Sequence, residues 1–305
     1  MSVALGLVEA VVAPLASYEF LRYALAVSML VGASSAALSC FLVVRRAAML
    51  GDAVAHGVLP GVALGWMLAG HIGVFWGAVA VGVLVAVGIS ALERGTRLHL
   101  DTAIGVMFSF AFALGLLLVS VLRPAGIHLQ HVLLGNVLAA SDDDLRLAAV
   151  TSVIVLVAVA AAFPLLRAWS FSPETATVMG LPTRRLHYLF TALLSLAIVA
   201  SLQTVGLVLA VAMLILPGAA AYLCTNRLSR MIAIAVVIGV LSAASGMLIS
   251  YHLNAASGPA IVLAASAAFV GCLVAAPRRG IFAAWRRGRV AGNDGREHEP
   301  EPALR

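Results

Sequence analysis

Asp52 and His56 are two ionisable side chains four residues apart, set within the stretch from Arg45 to Gly61 that opens an otherwise apolar segment. On a helix this spacing places both on one face, about one turn apart. There a carboxylate oxygen and an imidazole nitrogen can share a divalent cation. An aspartate at the centre of a membrane-spanning helix costs about 2.5–3.5 kcal/mol on insertion scales. Residues that carry such a cost characteristically face a protein interior or a water-filled path, and they mark ion routes. The plainer alternative is that Asp52 caps its helix while His56 packs against a neighbour.

The elements that must hold this pair are membrane spans. The chain has 305 residues, of which 63% are hydrophobic and 10% charged, with a mean hydropathy of +1.08. Such a composition excludes a water-soluble domain of this length. Charge-free runs lie near 23–44, 57–70, 72–92, 102–122, 147–166, 188–204, 205–224, 231–250 and 259–276. At ~20 residues per crossing each is a candidate span, the second only if it reaches back through His56 and Asp52. The pattern predicts an all-α polytopic membrane protein with eight to nine transmembrane helices, eight if a short run is re-entrant. Every basic residue is arginine, and alternating the spans places most of them, including Arg45, Arg46, Arg184 and Arg185, on one side. The positive-inside rule makes that side cytoplasmic and puts the C-terminus there in a multi-pass cell-membrane protein. The net charge of +6 then serves lipid headgroups, and no nucleic-acid partner is implied.

Three regions follow from composition. Residues 1–18, interrupted by Glu9 and Pro14 and lacking a basic leader, are expected to lie at the interface and not to be a cleaved signal. Residues 19–276 form one transmembrane domain. Residues 277–305 are basic and then, from Ala291, a mixture of Gly, Glu, Pro and Arg that reads as a disordered cytoplasmic tail. Cys40, Cys224 and Cys272 are odd in number and have no paired spacing, which argues for packing and against a disulfide framework or a thiolate metal site. In the second run Gly57, Gly61 and Gly65 recur every four residues, a small-residue ridge that lets another helix approach closely. Pro60 lacks an amide hydrogen and frees the carbonyl near position 56, so a kink is expected there.

The motifs taken in order resemble the membrane permease subunit of zinc, manganese and iron ABC importers. The resemblance is carried by Arg45-Arg46, Gly51-Asp52, His56 and Pro60-Gly61, and by Asp101 to Gly105 before the fourth span. It continues through Phe171 to Gly180-Leu181-Pro182, Val205-Gly206-Leu207 through Leu216-Pro217, and Ser257-Gly258-Pro259. It covers roughly 20–276 and implies a homodimer served by a cytoplasmic ATP-binding subunit and an extracytoplasmic metal-binding protein. It also implies that Ser172, Pro173, Glu174 and Gly180 lie in the loop that meets the ATPase. Ser172 stands where the family carries aspartate, which removes a cap or a charge from that loop.

The chain itself reads as a transport subunit and not an enzyme. It has no lysine and no phosphate-binding loop, so ATP hydrolysis belongs to a partner. No permanent cofactor is implied, and the transported ion is manganese, zinc or iron, the metals suited to oxygen and nitrogen ligands. A permease for a siderophore or cobalamin would leave Asp52 and His56 without a role; an ion-coupled secondary transporter would use Asp52 as its coupling carboxylate. His128 and His131, three apart, are read as an interfacial pair, and Ser141 with Asp142, Asp143 and Asp144 as the cap of the next helix. His71, His99, His187 and His252 have no convincing partner in the sequence.

Overall fold

The protein is described by a computed structural model over residues 18–96, 98–122 and 140–276. The expected interfacial segment 1–18, apart from Tyr18, lies outside the described residues. So do the tail 277–305 and the pair His128 and His131.

Regular structure among the described residues is helical throughout. The helices are α1 (Glu19–Val44), α2 (Ala48–Gly57), α3 (Leu59–Gly95), α4 (Leu100–Leu122), α5 (Asp142–Ala161) and α6 (Phe163–Phe171). They continue as α7 (Pro173–Val178), α8 (Thr183–Thr204), α9 (Leu207–Met213), α10 (Leu216–Cys224), α11 (Leu228–Leu253) and α12 (Ser257–Ala275). Nine runs among the described residues are long and apolar enough to cross a membrane. Two of them are broken helices, Ala48–Gly70 and Leu207–Cys224.

The breaks follow from the backbone. Between α2 and α3 the chain turns at Val58, with Pro60 in the first turn of the new helix. The proline has no N–H to give the carbonyl of His56, so the ladder must be interrupted there. The same logic separates α9 from α10, where Leu214 and Ile215 precede Pro217. Within α3 the helix reverses at Ala69 and Gly70, the latter with φ 59° and ψ −140°, a conformation that needs a residue without Cβ. The two arms then lie backbone to backbone. A Cβ on Gly61 would stand 2.2 Å from the Gly77 carbonyl oxygen, and one on Gly65 would stand 2.1 Å from that of Gly73. The helix that the glycine ridge admits is therefore the next span of the same chain. Gly57 instead faces the methyls of Val85, 3.1 Å from its Cβ position.

Lipid offers no hydrophobic drive between helices, so close packing and internal hydrogen bonds must hold them. α1 is central: it crosses α11 where Gly32 and Gly239 meet, and it receives from α5 the Ser152 hydroxyl, which donates to the Leu30 carbonyl at 3.0 Å. Large apolar side chains such as Phe110, Leu117, Val157 and Leu263 are exposed, as a lipid-facing surface requires.

The expected fifth span, 147–166, is displaced. α5 begins at Asp142 because Ser141 and Asp144 form a reciprocal capping box, and it ends at Ala161, where Pro164 opens α6. The acidic triplet serves this helix start: Asp142 and Asp143 pair with Arg146 at 2.6 and 3.7 Å. The three cysteines are free. Cys40 is buried within α1, but Cys224 on α10 and Cys272 on α12 bring their thiols within hydrogen-bonding reach of each other, a proximity that spacing alone could not reveal.

Candidate functional site

The approach to the candidate site begins where α1 ends. The N–H of Arg46 donates to the Val43 carbonyl and that of Ala47 to the Leu42 carbonyl, at 3.1 and 2.9 Å. This is a Schellman closure with Arg46 in the left-handed position, φ 55°, a place usually held by glycine. The reversal delivers the chain directly into α2, which carries Asp52 in its second turn and His56 in its last.

On α2 the two side chains do meet. His56 Nδ1 lies 3.3 Å from Asp52 Oδ1 and 3.1 Å from the Asp52 carbonyl oxygen. Two donor atoms each about 2.1 Å from one cation stand roughly 3.0–3.4 Å apart at tetrahedral or octahedral angles. The observed separation suits a shared ion, and it also suits a carboxylate that orients the imidazole so that Nε2 keeps the lone pair for a metal. Both side chains are partly accessible, at 40% for Asp52 and 23% for His56, so an ion could reach them.

The neighbours come from α4 and from the second broken span. Phe108 and Phe112 stack on each other and present their rings to the His56 imidazole edge-on, with centroids 5.5 and 5.7 Å away. A cavity of about 500 Å³ runs beside the pair, lined by Arg46, Met49, Asp52, Asp101, Ile104 and Phe108 among others. It brings a second carboxylate, Asp101 at the first turn of α4, to the same cleft. On the far side Gly51 packs against Leu214, so the break between α9 and α10 abuts the turn that bears Asp52. Among the described residues no group of three His, Cys, Asp or Glu could hold a metal.

The second expected region lies at the other end of α6. Ser172 ends α6 and caps α7: its hydroxyl accepts the Thr175 N–H at 3.3 Å and shares a 2.7 Å hydrogen bond with the Thr175 hydroxyl. The expectation that serine at this position removes a cap is therefore corrected, because the hydroxyl performs the capping. Pro173 occupies the first position of α7 and Glu174 is exposed. Gly180, φ 76°, closes α7, with its own N–H on Thr177 and that of Leu181 on Ala176, both at 3.0 Å. Around this short helix Phe171, Val178 and Met179 are exposed by 59, 88 and 71%. Of the three, the sequence singles out Phe171 alone, as the start of the Phe171 to Pro182 motif, and gives Val178 and Met179 no role.

His187 also differs from expectation, since it hydrogen-bonds the Ser90 hydroxyl of α3. Thr204 donates to the Ala200 carbonyl at 2.9 Å.

A model of the ABC 3 transport family matches residues 17–276. The manganese transport system membrane protein MntC of Halalkalibacterium halodurans is 42% identical over 277 residues, covering 91% of this chain and 94% of that one. The chelated iron transport system membrane protein YfeC of Yersinia pestis is 36% identical over 288 residues, covering 94% and 97%. Among solved structures, PsaBC from Streptococcus pneumoniae in complex with Fab superposes with a TM-score of 0.80 at 36% identity, covering 88% of this chain and 96% of that chain.

Proposed function

The chain belongs to the ABC 3 transport family, and on that footing we propose that it lines the path by which an ATP-driven importer admits a divalent transition-metal ion, manganese foremost. The observation that carries the reading is the Asp52 and His56 pair, 3.3 Å apart beside an accessible cleft. Its oxygen and nitrogen donors suit manganese, iron or zinc. Because one chain offers two ligands, a homodimer that joins two such pairs would supply four. The kinked, accessible α2 supports this use, since irregular backbone is tolerated at membrane depth where it lines a cavity.

Hydrolysis of ATP is assigned to a separate cytoplasmic subunit, and delivery of the ion to an extracytoplasmic metal-binding protein. The docking surface for the ATPase is α7 with its flanks. Ser172, Pro173 and Gly180 fix its shape, Glu174 offers a charge, and the exposed Phe171, Val178 and Met179 offer apolar contact of the kind a partner would cover. Residues 19–276 make up the permease proper, with the C-terminus on the cytoplasmic side.

Uptake of radioactive manganese by cells carrying the complete transporter tests the site. Asp52→Asn keeps the size of the side chain but loses its charge, and His56→Ala removes the ring. Each should lower uptake by tenfold or more on the order-of-magnitude scale of losses at metal sites, while protein level and assembly persist. Normal uptake by both variants would refute direct coordination.

A further inference from the structure

The arginine that closes α1 lies over an aromatic ring. The Arg45 guanidinium carbon sits 3.7 Å above the centroid of the Trp169 ring, and Trp169 is only 3% exposed. Its neighbour Arg46 is the exposed one of the pair. A guanidinium stacked on a desolvated indole is a strong and directional contact.

The surroundings of this stack connect the two regions described above. Trp169 lies on α6, which is joined to α7 through the single residue Ser172. Its ring also packs against His187 and Phe190 of α8, with centroids 5.9 and 5.6 Å away. Phe190 in turn meets Phe41 edge-on, at 6.0 Å, one turn before Arg45. A void of about 20 Å³, room for one water, is lined by Arg45, Leu50, Ser90, Glu93, Trp169 and His187. Leu50 is in the first turn of α2, and Asp52 follows two residues later. The end of α1, the start of α2, the end of α3 and the helix leading into α7 therefore share one packed junction. Packed junctions of this kind move between discrete arrangements and do not deform continuously.

We propose that the Arg45–Trp169 stack is the link through which movement of α7 is passed to α2, with Arg45 as the positioning residue that sets the tilt of the Asp52 and His56 helix. This inference rests on the importer reading. In it, displacement of α7 by the ATPase carries Trp169, Trp169 carries the guanidinium, and the Schellman closure at Arg46 transmits the shift to the first turn of α2.

The test measures ATP hydrolysed per manganese ion imported, in proteoliposomes holding the complete complex and supplied with manganese(II). Arg45→Ala and Trp169→Ala should each raise that ratio about tenfold, the factor a contact of this strength sustains. The double variant should raise it no further than either single change, because both remove the same link. Trp169→Phe, which keeps an aromatic face for the guanidinium, should recover most of the coupling. Should the alanine variants fail to assemble, Arg45→Gln against Arg45→Lys decides: glutamine should uncouple, and lysine should retain coupling. An unchanged ratio in Arg45→Ala or Arg45→Gln, multiplicative losses in the double variant, or uptake and hydrolysis falling in proportion would each overturn the proposal. If the unsubstituted complex imports no manganese with ATP, the importer reading itself falls, which is a separate and recognisable result.

Discussion

Replacing Gly65 by alanine adds one methyl carbon at a point where the two arms of α3 already touch. That carbon would lie 2.1 Å from the carbonyl oxygen of Gly73 and 2.6 Å from its carbonyl carbon. Ordinary carbon-to-oxygen contacts are about 3.3 Å or longer, so the arms must part by roughly 1 Å along the contact. Neither partner is a side chain that can rotate away. Overpacking of this kind costs about 1–3 kcal/mol, against which the better helix propensity of alanine returns about 0.5–1 kcal/mol. A net loss of about 1–2 kcal/mol is expected for Gly65→Ala, and likewise for Gly61→Ala. Gly57→Ala should lose less, because its nearest atoms are the rotatable methyls of Val85. Gly271 on α12 provides the control: no atom lies within 4 Å of its Cβ position, so Gly271→Ala should be neutral or slightly stabilising. Thermal unfolding in one detergent, followed by tryptophan fluorescence, ranks the four variants. Gly65→Ala unfolding at or above the temperature of Gly271→Ala would refute the packing argument.

Three further outcomes are expected. Glu174→Arg should leave the membrane fold intact yet raise the ATP hydrolysed per ion imported, and a ratio equal to that of the unsubstituted complex would remove α7 from the docking surface. A cysteine introduced at position 174 should react with a membrane-impermeant maleimide in inside-out vesicles only; labelling from outside intact cells would invert the proposed topology. Ser172→Ala should lose a cap worth ~1 kcal/mol and Gly180→Ala should incur left-handed strain of about 1–2 kcal/mol. Both should therefore weaken recovery of the ATPase in pull-down experiments, and undiminished recovery with either would show that the shape of α7 is not what the partner reads.

The nine spans were legible because a charge-free length is a one-dimensional property that needs no knowledge of neighbours. Asp52 and His56 were legible for a similar reason, since a four-residue interval on one helix decides whether two side chains can meet. The start of α5 was legible in Ser141 and Asp142 to Asp144, because a capping box draws charge into the first turn of a helix; only the charge-free run, which by definition begins after Arg146, placed the span too late. Phe108, Phe112 and Asp101 could not be assigned to the site, because α4 is apolar on all sides and its periodicity does not say which face meets α2. The stack of Arg45 on Trp169 joins residues 124 positions apart, and single-residue types offer no signal for it. The Phe171, Val178 and Met179 surface did have a signal: three large apolar residues in a loop already expected to lie outside the membrane.

The hairpin at Gly70 bears on how the protein is made. Ala48–Gly70 is the least apolar of the nine spans found among the described residues, and it carries the carboxylate of Asp52. Gly61 and Gly65 are shaped to the arm that is synthesised next, so a nascent chain ending at residue 70 presents the insertion machinery with a poor substrate. A chain extended through Glu93 presents a matched pair. The two spans should therefore enter the bilayer together, and glycosylation mapping of truncated chains should find the 48–70 segment poorly inserted when the chain ends at residue 70 and well inserted once 73–93 follows it. Substitutions in the second arm, far from the cleft in sequence, would then lower the amount of protein in the membrane without altering the activity of each molecule that arrives.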